Sequence, residues 1–190
     1  MAIVLASQSP RRQELLARIG VEDFKTLSLD IDESYPEGLS PEDTVRYIAK
    51  KKCDAAAALC SPDDLIITAD TMVFLDNDRL GKPRDEEDAL RMLRALSGRG
   101  HTVCTGVSVR RGAQEERFAV STRVLFRPMT DDEIRAYIKT GEPMDKAGAY
   151  GVQSRGALFV ERIDGDFFNV MGLPVEQLGL VLARFGVKLL

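Results

Sequence analysis

The sequence predicts an α/β protein with a twisted, mixed β-sheet and helices around it. Two apolar runs, residues 2–6 and 65–69, have the length of buried strands, and they alternate with segments of helical periodicity. Two strand-like stretches, Thr102 to Val109 and Arg117 to Phe126, flank a turn around Gly112 and predict a hairpin. Because the strands of a hairpin are antiparallel, we expect a mixed sheet rather than an all-parallel one.

The first helix is predicted directly after the first strand. Ser9 is a typical N-cap residue, Pro10 suits the first helical position, and Gly20 suits the C-terminal end. The residues expected to form its buried stripe are Leu15, Leu16 and Ile19.

Other elements are indicated by local signals of the same kind. Further helices are expected to begin at Ser40-Pro41, at Asp85, at the capping box Thr130-x-x-Glu133 and after Pro174. A turn is predicted over residues 76–79 and a strand over residues 157–163.

Length and composition indicate one globular domain over residues 1–190. The net charge of −4 argues against a general nucleic-acid binder or a membrane-surface binder, so any anion site must be local. Cys53, Cys60 and Cys104 lack metal-ligand spacing and are expected to be buried thiols in a reducing compartment. The N-terminal apolar run is too short for a signal peptide, and no run has transmembrane length, so we expect a cytoplasmic protein.

Arg11 and Arg12 fall in the first turn of the first helix, where the helix already carries partial positive charge. One interpretation is that both arginines simply point into solvent. The other is that an anion binds there, held by backbone N–H groups, the hydroxyls of Ser7 and Ser9, and the guanidinium groups. The pairing of two arginines with two serines favours a phosphate site.

Asp70 ends an apolar strand, which is where α/β proteins place their ligands, although an aspartate there could equally cap a turn. Glu33 lies in an acidic loop, and Lys52 and Lys82 are further basic candidates. Carboxylates without histidine or cysteine partners favour Mg²⁺ or Mn²⁺. Carboxylates, a metal and several cations are what a nucleoside triphosphate requires, although no P-loop motif is present.

Two further residues have open interpretations. Gln153 has donor and acceptor atoms that could read the edge of a base, or it could bond to a loop backbone. His101 is the only histidine, and it could act as a general base or order a loop before a strand.

Six segments, in order over residues 3–185, resemble the Maf family. They are Leu5-Ala6-Ser7-x-Ser9-Pro10-Arg11-Arg12-x-Glu14-Leu15-Leu16, Ala69-Asp70-Thr71, Gly81-Lys82-Pro83, Leu96-Ser97-Gly98-Arg99-x-His101-x-Val103-x-Thr105, Asp145-Lys146-Ala147-Gly148-Ala149-Tyr150-Gly151-Val152-Gln153 and Gly172-Leu173-Pro174. One departure is Ser154, where the family usually has a glycine directly after the glutamine.

The resemblance implies an inosine-triphosphatase-like fold, with an elongated mixed sheet and a cleft between two lobes. It also implies a nucleoside triphosphate pyrophosphatase that uses a divalent metal and releases a nucleoside monophosphate and pyrophosphate. Carried onto this sequence, Asp70 would be the proton acceptor for the attacking water. Glu33 would be a ligand of the metal or of a water, with Asp70 as the second metal ligand. The phosphate-binding residues would be Ser9, Arg12, Lys52 and Lys82.

Arginine, threonine and glutamine at the family's specificity positions, here Arg11, Thr71 and Gln153, resemble the subgroup that acts on dTTP and UTP. Members that act on 7-methyl-GTP have a tryptophan in place of Arg11, so a purine or 7-methyl-GTP enzyme is the alternative. The resemblance also implies a homodimer, activity on modified pyrimidine triphosphates and a link to arrest of cell division. A nucleotide-binding regulator of septum formation without catalysis is the non-enzyme alternative.

Overall fold

The computed structural model describes residues 1–76 and 78–190, which form six α-helices and seven strands. The helices are α1 (Pro10–Arg18), α2 (Pro41–Ala57), α3 (Glu86–Leu96), α4 (Asp131–Ile138), α5 (Phe167–Met171) and α6 (Val175–Arg184). The strands are β1 (Ile3–Leu5), β2 (Phe24–Thr26), β3 (Leu65–Leu75), β4 (Asp78–Leu80), β5 (Gly100–Arg111), β6 (Gln114–Phe126) and β7 (Val160–Asp164).

The strands form one mixed sheet in the order β2-β1-β3-β5-β6-β7, with β4 paired to β3. β1 runs parallel to both β2 and β3, whereas β4 is antiparallel to β3 and β7 is antiparallel to β6. Only residues 112–113 separate the neighbouring strands β5 and β6, and Gly112 adopts a φ of 57° there. The predicted α/β class, mixed sheet and hairpin are therefore confirmed.

The chain divides into two compact units. Unit 1 contains residues 1–70, 105–120 and 172–190, and unit 2 contains residues 71–104 and 121–171. The long strands β3, β5 and β6 each contribute residues to both units. None of the helices in residues 1–76 and 78–190 is long and apolar enough to span a membrane.

The predicted helix starts are confirmed where the signal is local. Ser40 and Asp85 accept bonds from the backbone N–H groups of Asp43 and Asp88, at 3.1 and 2.7 Å. Thr130 caps α4, and both halves of its capping box are formed. Side-chain acceptors at these positions satisfy N–H groups that have no partner inside the helix, which is why the sequence alone locates them.

Several local expectations were wrong. Pro10 does begin α1, but the Ser9 side chain makes no capping bond in the described part of the chain, and Ile19 is only partly buried. Residues 155–159 form a 3₁₀ turn, so the predicted strand over 157–163 begins only at Val160. Residues 78–79 of the predicted turn belong to β4, and residue 77 lies outside the described residues. Cys53 and Cys104 are buried free thiols as expected, but Cys60 is partly exposed.

In unit 1, α2 packs very closely on the sheet. A Cβ at Gly106 of β5 would lie 2.3 Å from the backbone carbon of Val45, so only glycine allows this approach. The buried Thr68 hydroxyl of β3 donates to the Ala49 carbonyl of α2 at 2.7 Å. These two contacts fix how closely α2 packs on β5 and how α2 is aligned along β3. Asp70 lies on β3.

Candidate active site

Asp70 is the more buried of the two carboxylates of the predicted site. β1 and β3 run parallel, with Leu5 paired to Ile67, but β3 continues to Leu75, so Asp70 lies within the strand and the prediction that it ends the strand was wrong. The side chain of Asp70 is 8% exposed, and its Oδ1 accepts a bond from Lys52 Nζ at 2.7 Å. Its other oxygen, Oδ2, is buried without a hydrogen-bond partner among the described residues. A buried, unsatisfied carboxylate oxygen is costly and suits a group that meets a ligand.

Lys52 joins the two predicted carboxylates. Its Nζ lies 2.8 Å from Glu33 Oε1 as well as 2.7 Å from Asp70 Oδ1, and only 15% of its side chain is exposed. Glu33 is much more accessible, at 56%. The ammonium group therefore holds an exposed and a buried carboxylate together at one point. The neighbouring Lys51 instead pairs with Asp32 at 3.3 Å.

Arg12 is anchored from two sides within unit 1. Its Nε donates to the carbonyl oxygen of Gly172 at 2.8 Å, and its Nη1 donates to Ser7 Oγ at 3.3 Å. Ser7 Oγ also accepts from the backbone N–H of Ser9 at 3.2 Å, so the serine pair and the arginine form one network. Burial lowers the pKa of the Arg12 guanidinium, an effect that the charges of Asp70 and Glu33 oppose. The positive charge of Arg12 therefore interacts favourably with both carboxylates.

The structure therefore joins three predicted residues of unit 1, Glu33, Lys52 and Asp70, in one ion-paired cluster, and the charge of Arg12 interacts with its carboxylates. Ser9 precedes the first turn of α1 and Arg11 lies within it, and both are partly buried. Because the Ser9 side chain does not cap α1 in the described residues, the helix keeps N-terminal N–H groups that an anion could use.

Glu33 and Asp70 are the oxygen ligands available for the divalent metal that the resemblance implies. No group of three or more acidic, histidine or cysteine side chains in residues 1–76 and 78–190 is arranged to hold a metal ion by itself. Two carboxylates, Glu33 and Asp70, nevertheless share one partner, and Asp70 Oδ2 is unsatisfied in the described structure. Mg²⁺ commonly binds through one or two carboxylates plus substrate phosphates and water, so these residues fit such an ion.

The remaining predicted residues lie in unit 2. Thr71 follows Asp70 on β3 and is partly buried, whereas Lys82 and Gln153 are exposed. The backbone N–H of Gly148 donates to the Gly81 carbonyl at 3.1 Å, so the lysine loop is tied to the glycine-rich passage that precedes Gln153. Gly148 has a φ of 71°, which explains a glycine there.

Comparison with known proteins decides the family. The family described as "Maf-like protein" matches residues 2–185 of the chain. A dTTP/UTP pyrophosphatase from Bacillus velezensis is 47% identical over 186 residues, which cover 98% of this chain and 97% of that one. The chain belongs to the Maf family. A second dTTP/UTP pyrophosphatase, from Dictyoglomus turgidum, is also 47% identical and covers 99% of this chain and 98% of its own.

Among solved structures, a HAM1 protein from Coxiella burnetii has the same fold as this Maf chain. The two align with a TM-score of 0.56 over 97% of this chain and 99% of that one, at 14% sequence identity. At this identity the likeness supports the fold alone, and it confirms the predicted fold class.

Sequence reasoning about this Maf chain missed the role of Gly172. Its place in a motif does not reveal that its backbone carbonyl oxygen accepts a hydrogen bond from Arg12.

The sequence leaves His101 open as a general base or a loop-ordering residue. The residue is 3% exposed, its Nε2 lies 2.8 Å from the Tyr150 hydroxyl, and burial lowers its pKa to about 4. A histidine in such surroundings stays neutral and orders the interior of unit 2, which favours the loop-ordering interpretation.

Proposed function

We propose that the protein hydrolyses dTTP and UTP between the α- and β-phosphates and releases the nucleoside monophosphate and pyrophosphate. The observation that carries the proposal is the buried Asp70, which is held on one oxygen by Lys52 and has its other oxygen unsatisfied in the described structure. The names of the relatives from Bacillus velezensis and Dictyoglomus turgidum support the choice of substrate.

In this proposal Asp70 is the proton acceptor for the water that attacks the α-phosphate. Lys52 holds the Asp70 carboxylate in place, and its ammonium group, which also pairs with the exposed Glu33, binds a phosphate oxygen. Ser9 and Arg12 bind phosphate oxygens at the start of α1, where the helix N-terminus favours negative charge. Lys82 of unit 2 supplies a further cation to the triphosphate.

Glu33 and Asp70 would hold a divalent cation, Mg²⁺ or Mn²⁺, which when bound would neutralise charge on the phosphates. Arg11, Thr71 and Gln153 select the pyrimidine base. We further propose that the enzyme acts in the cytoplasm as a homodimer and also removes modified pyrimidine triphosphates from the nucleotide pool. A role in arrest of cell division belongs to the same proposal.

The test is a product assay with Mg²⁺ and a panel of dTTP, UTP, GTP and 7-methyl-GTP. We expect monophosphate and pyrophosphate from dTTP and UTP, and loss of that turnover when the metal is removed by a chelator. Asp70→Asn should lower kcat by about 10²–10⁴-fold, as expected for loss of a general base, with circular dichroism unchanged. The exposed carboxylate variant Asp23→Asn serves as the matched control and should be fully active.

Different outcomes would contradict different parts of the proposal. Preferred hydrolysis of 7-methyl-GTP would overturn the substrate and favour the alternative subgroup. Near-normal turnover by Asp70→Asn would remove Asp70 from the mechanism. Tight nucleotide binding without turnover of any substrate would favour the regulator of septum formation.

A further inference from the structure

Gln153 is exposed in a segment that belongs to no α-helix or strand, residues 150–156 of unit 2, called here the Gln153 segment, whose last two residues begin the 3₁₀ turn. A side chain that discriminates between bases must be held to within a fraction of an ångström, so something has to fix this segment. The residues that do so come from outside it, from the end of α4 and the turn that follows it.

Glu142 accepts three hydrogen bonds from the segment. Its Oε1 accepts from the Ser154 hydroxyl at 2.6 Å and from the Gly156 N–H at 3.2 Å, and its Oε2 accepts from the Arg155 N–H at 3.4 Å. One carboxylate thus gathers three consecutive residues directly after Gln153. Burial disfavours the charged form of Glu142, but these bonds outweigh it and hold its pKa below the ordinary value.

Tyr137 holds the other side of Gln153. Its hydroxyl accepts from the Gly151 N–H at 3.1 Å and donates to Glu142 Oε1 at 2.8 Å. The residue is 4% exposed, and its ring packs edge-on against Phe159 with 5.1 Å between the centroids. The packed Tyr137 side chain therefore links the Glu142 carboxylate to Gly151, two positions before Gln153.

The two ends of the segment also pack directly on each other. A Cβ at Gly156 would lie 2.6 Å from the Gly151 carbonyl oxygen and 2.8 Å from the Tyr137 hydroxyl. Such distances are shorter than real contacts, so only glycine lets the ends meet. Residues 151 and 156 close a small loop with Gln153 at its exposed side.

Ser154 joins the same arrangement. Its φ is −130°, a backbone conformation open to any residue, so a serine in place of the family's usual glycine introduces no left-handed strain. Its hydroxyl makes the shortest of the bonds to Glu142. The departure from the family pattern therefore adds a bond that glycine could not make.

We propose that Glu142 and Tyr137 are positioning residues that fix Gln153 for selection of the pyrimidine base. They act through the Gln153 segment and not by touching substrate. This inference rests on the proposed function, because it assigns Gln153 to the nucleotide base.

The test combines kinetics with amide hydrogen exchange on the full chain. Glu142→Ala should raise the KM for UTP and lower the preference for UTP over GTP, as a ratio of kcat/KM, by about tenfold, the size of a modest loss of discrimination. The kcat for UTP should stay within about twofold. Exchange at residues 151, 155 and 156 should accelerate in the free protein, whereas protection in α3 should not change.

Three variants separate positioning from general damage. Tyr137→Phe keeps the ring packing and removes only the hydroxyl, so it should reproduce the loss of preference. Glu142→Gln keeps one acceptor oxygen and should retain most of the preference for UTP over GTP. Glu161→Ala removes an exposed carboxylate on β7 and should behave as the wild-type protein.

Unchanged exchange and unchanged preference in Glu142→Ala and Tyr137→Phe would overturn the inference. A fall in kcat for all nucleotides with no change in preference would also overturn it, because that outcome indicates catalysis or folding instead of base selection. If the wild-type protein hydrolyses no nucleotide, the proposed function fails together with the role in base selection, while the exchange data still show whether Glu142 and Tyr137 order the segment.

Discussion

At the residue scale, the choice among three consecutive lysines decides the candidate site. Lys50 pairs with Asp54, Lys51 pairs with Asp32, and only Lys52 reaches Asp70. Successive residues on a helix are rotated by about 100°, so the three ammonium groups must point in different directions. At most one or two of them can therefore point inward, and which one does depends on the rotation of α2, a tertiary property.

Replacing Lys52 by methionine keeps its aliphatic stem and removes the charge. The buried Asp70 then loses the ammonium group that donates to its Oδ1, and we expect the free energy of unfolding to fall by about 2 kcal/mol, as for a buried polar group left unpaired. Urea denaturation at pH 7 measures this change. Lys51→Met is the matched control and should change stability by less than about 0.5 kcal/mol, because its partner Asp32 is 73% exposed. An equal loss of free energy of unfolding in both variants would show that the Lys52–Asp70 contact behaves as an ordinary surface ion pair.

At the element scale, the close approach of β5 to α2 sets the geometry of the cluster. The Cβ position of Gly106 falls 2.3–2.6 Å from backbone atoms of Val45 and Arg46. Backbone atoms cannot move aside as a flexible side chain can. A larger residue must therefore push α2, and Lys52 with it, away from the sheet.

We expect Gly106→Ala to lower the free energy of unfolding by about 3 kcal/mol, the range of an overpacked core, and to reduce turnover further than stability alone explains. Thermal unfolding and the product assay measure the two effects. Gly179→Ala in α6 is the control within the same unit, because its Cβ would make only an ordinary 3.7 Å contact with the Leu189 side chain. Removing a glycine from a helix should leave stability unchanged or raise it by up to about 1 kcal/mol. A Gly106→Ala protein as stable as the wild type would contradict the packing described for α2.

Elements with local signals were predicted well from the sequence, and elements without them were not. The caps at Ser40, Asp85 and Thr130 satisfy nearby backbone groups, so their signal lies within four residues. The short strands β2 and β4 exist because a neighbouring strand pairs with them, and nothing in three residues reveals that partner. The 3₁₀ turn over residues 155–159 likewise reflects anchoring to Glu142, which sequence spacing does not show.

At the scale of the whole molecule, acid stability depends on the single histidine. Burial lowers the pKa of His101 from 6.5 to about 4, so below pH 6.5 the unfolded chain binds a proton that the folded chain does not. The contribution of His101 to the free energy of unfolding is therefore fully present above about pH 6.5, and it is lost as the pH falls toward 4. Between pH 7 and pH 5 we expect a loss of about 2 kcal/mol in the free energy of unfolding.

Urea denaturation across that pH range tests the expectation. Because the chain has no other histidine, His101→Gln should remove most of the slope between pH 7 and pH 5. A wild-type protein with constant stability over this range, or a variant with an unchanged slope, would contradict a buried neutral imidazole.

Much of the candidate site could be predicted residue by residue, but its connections could not. The helix signal at Ser9-Pro10 and the position of Asp70 at the end of an apolar run are local patterns, and both point to the correct elements. The Gly172 carbonyl that holds Arg12 is 160 residues away in sequence, and a carbonyl has no residue signature. The motif Gly172-Leu173-Pro174 marks this position without revealing what its backbone contacts.

The most direct test of the central claim is hydrolysis of UTP in water enriched in oxygen-18. Attack on the α-phosphate by a water that Asp70 deprotonates puts the label in UMP and leaves pyrophosphate unlabelled, and Asp70→Asn should lose this reaction. Label in pyrophosphate would mean attack at the β-phosphate, and UDP with labelled phosphate would mean attack at the γ-phosphate. Either result would contradict the account of the site given for Asp70.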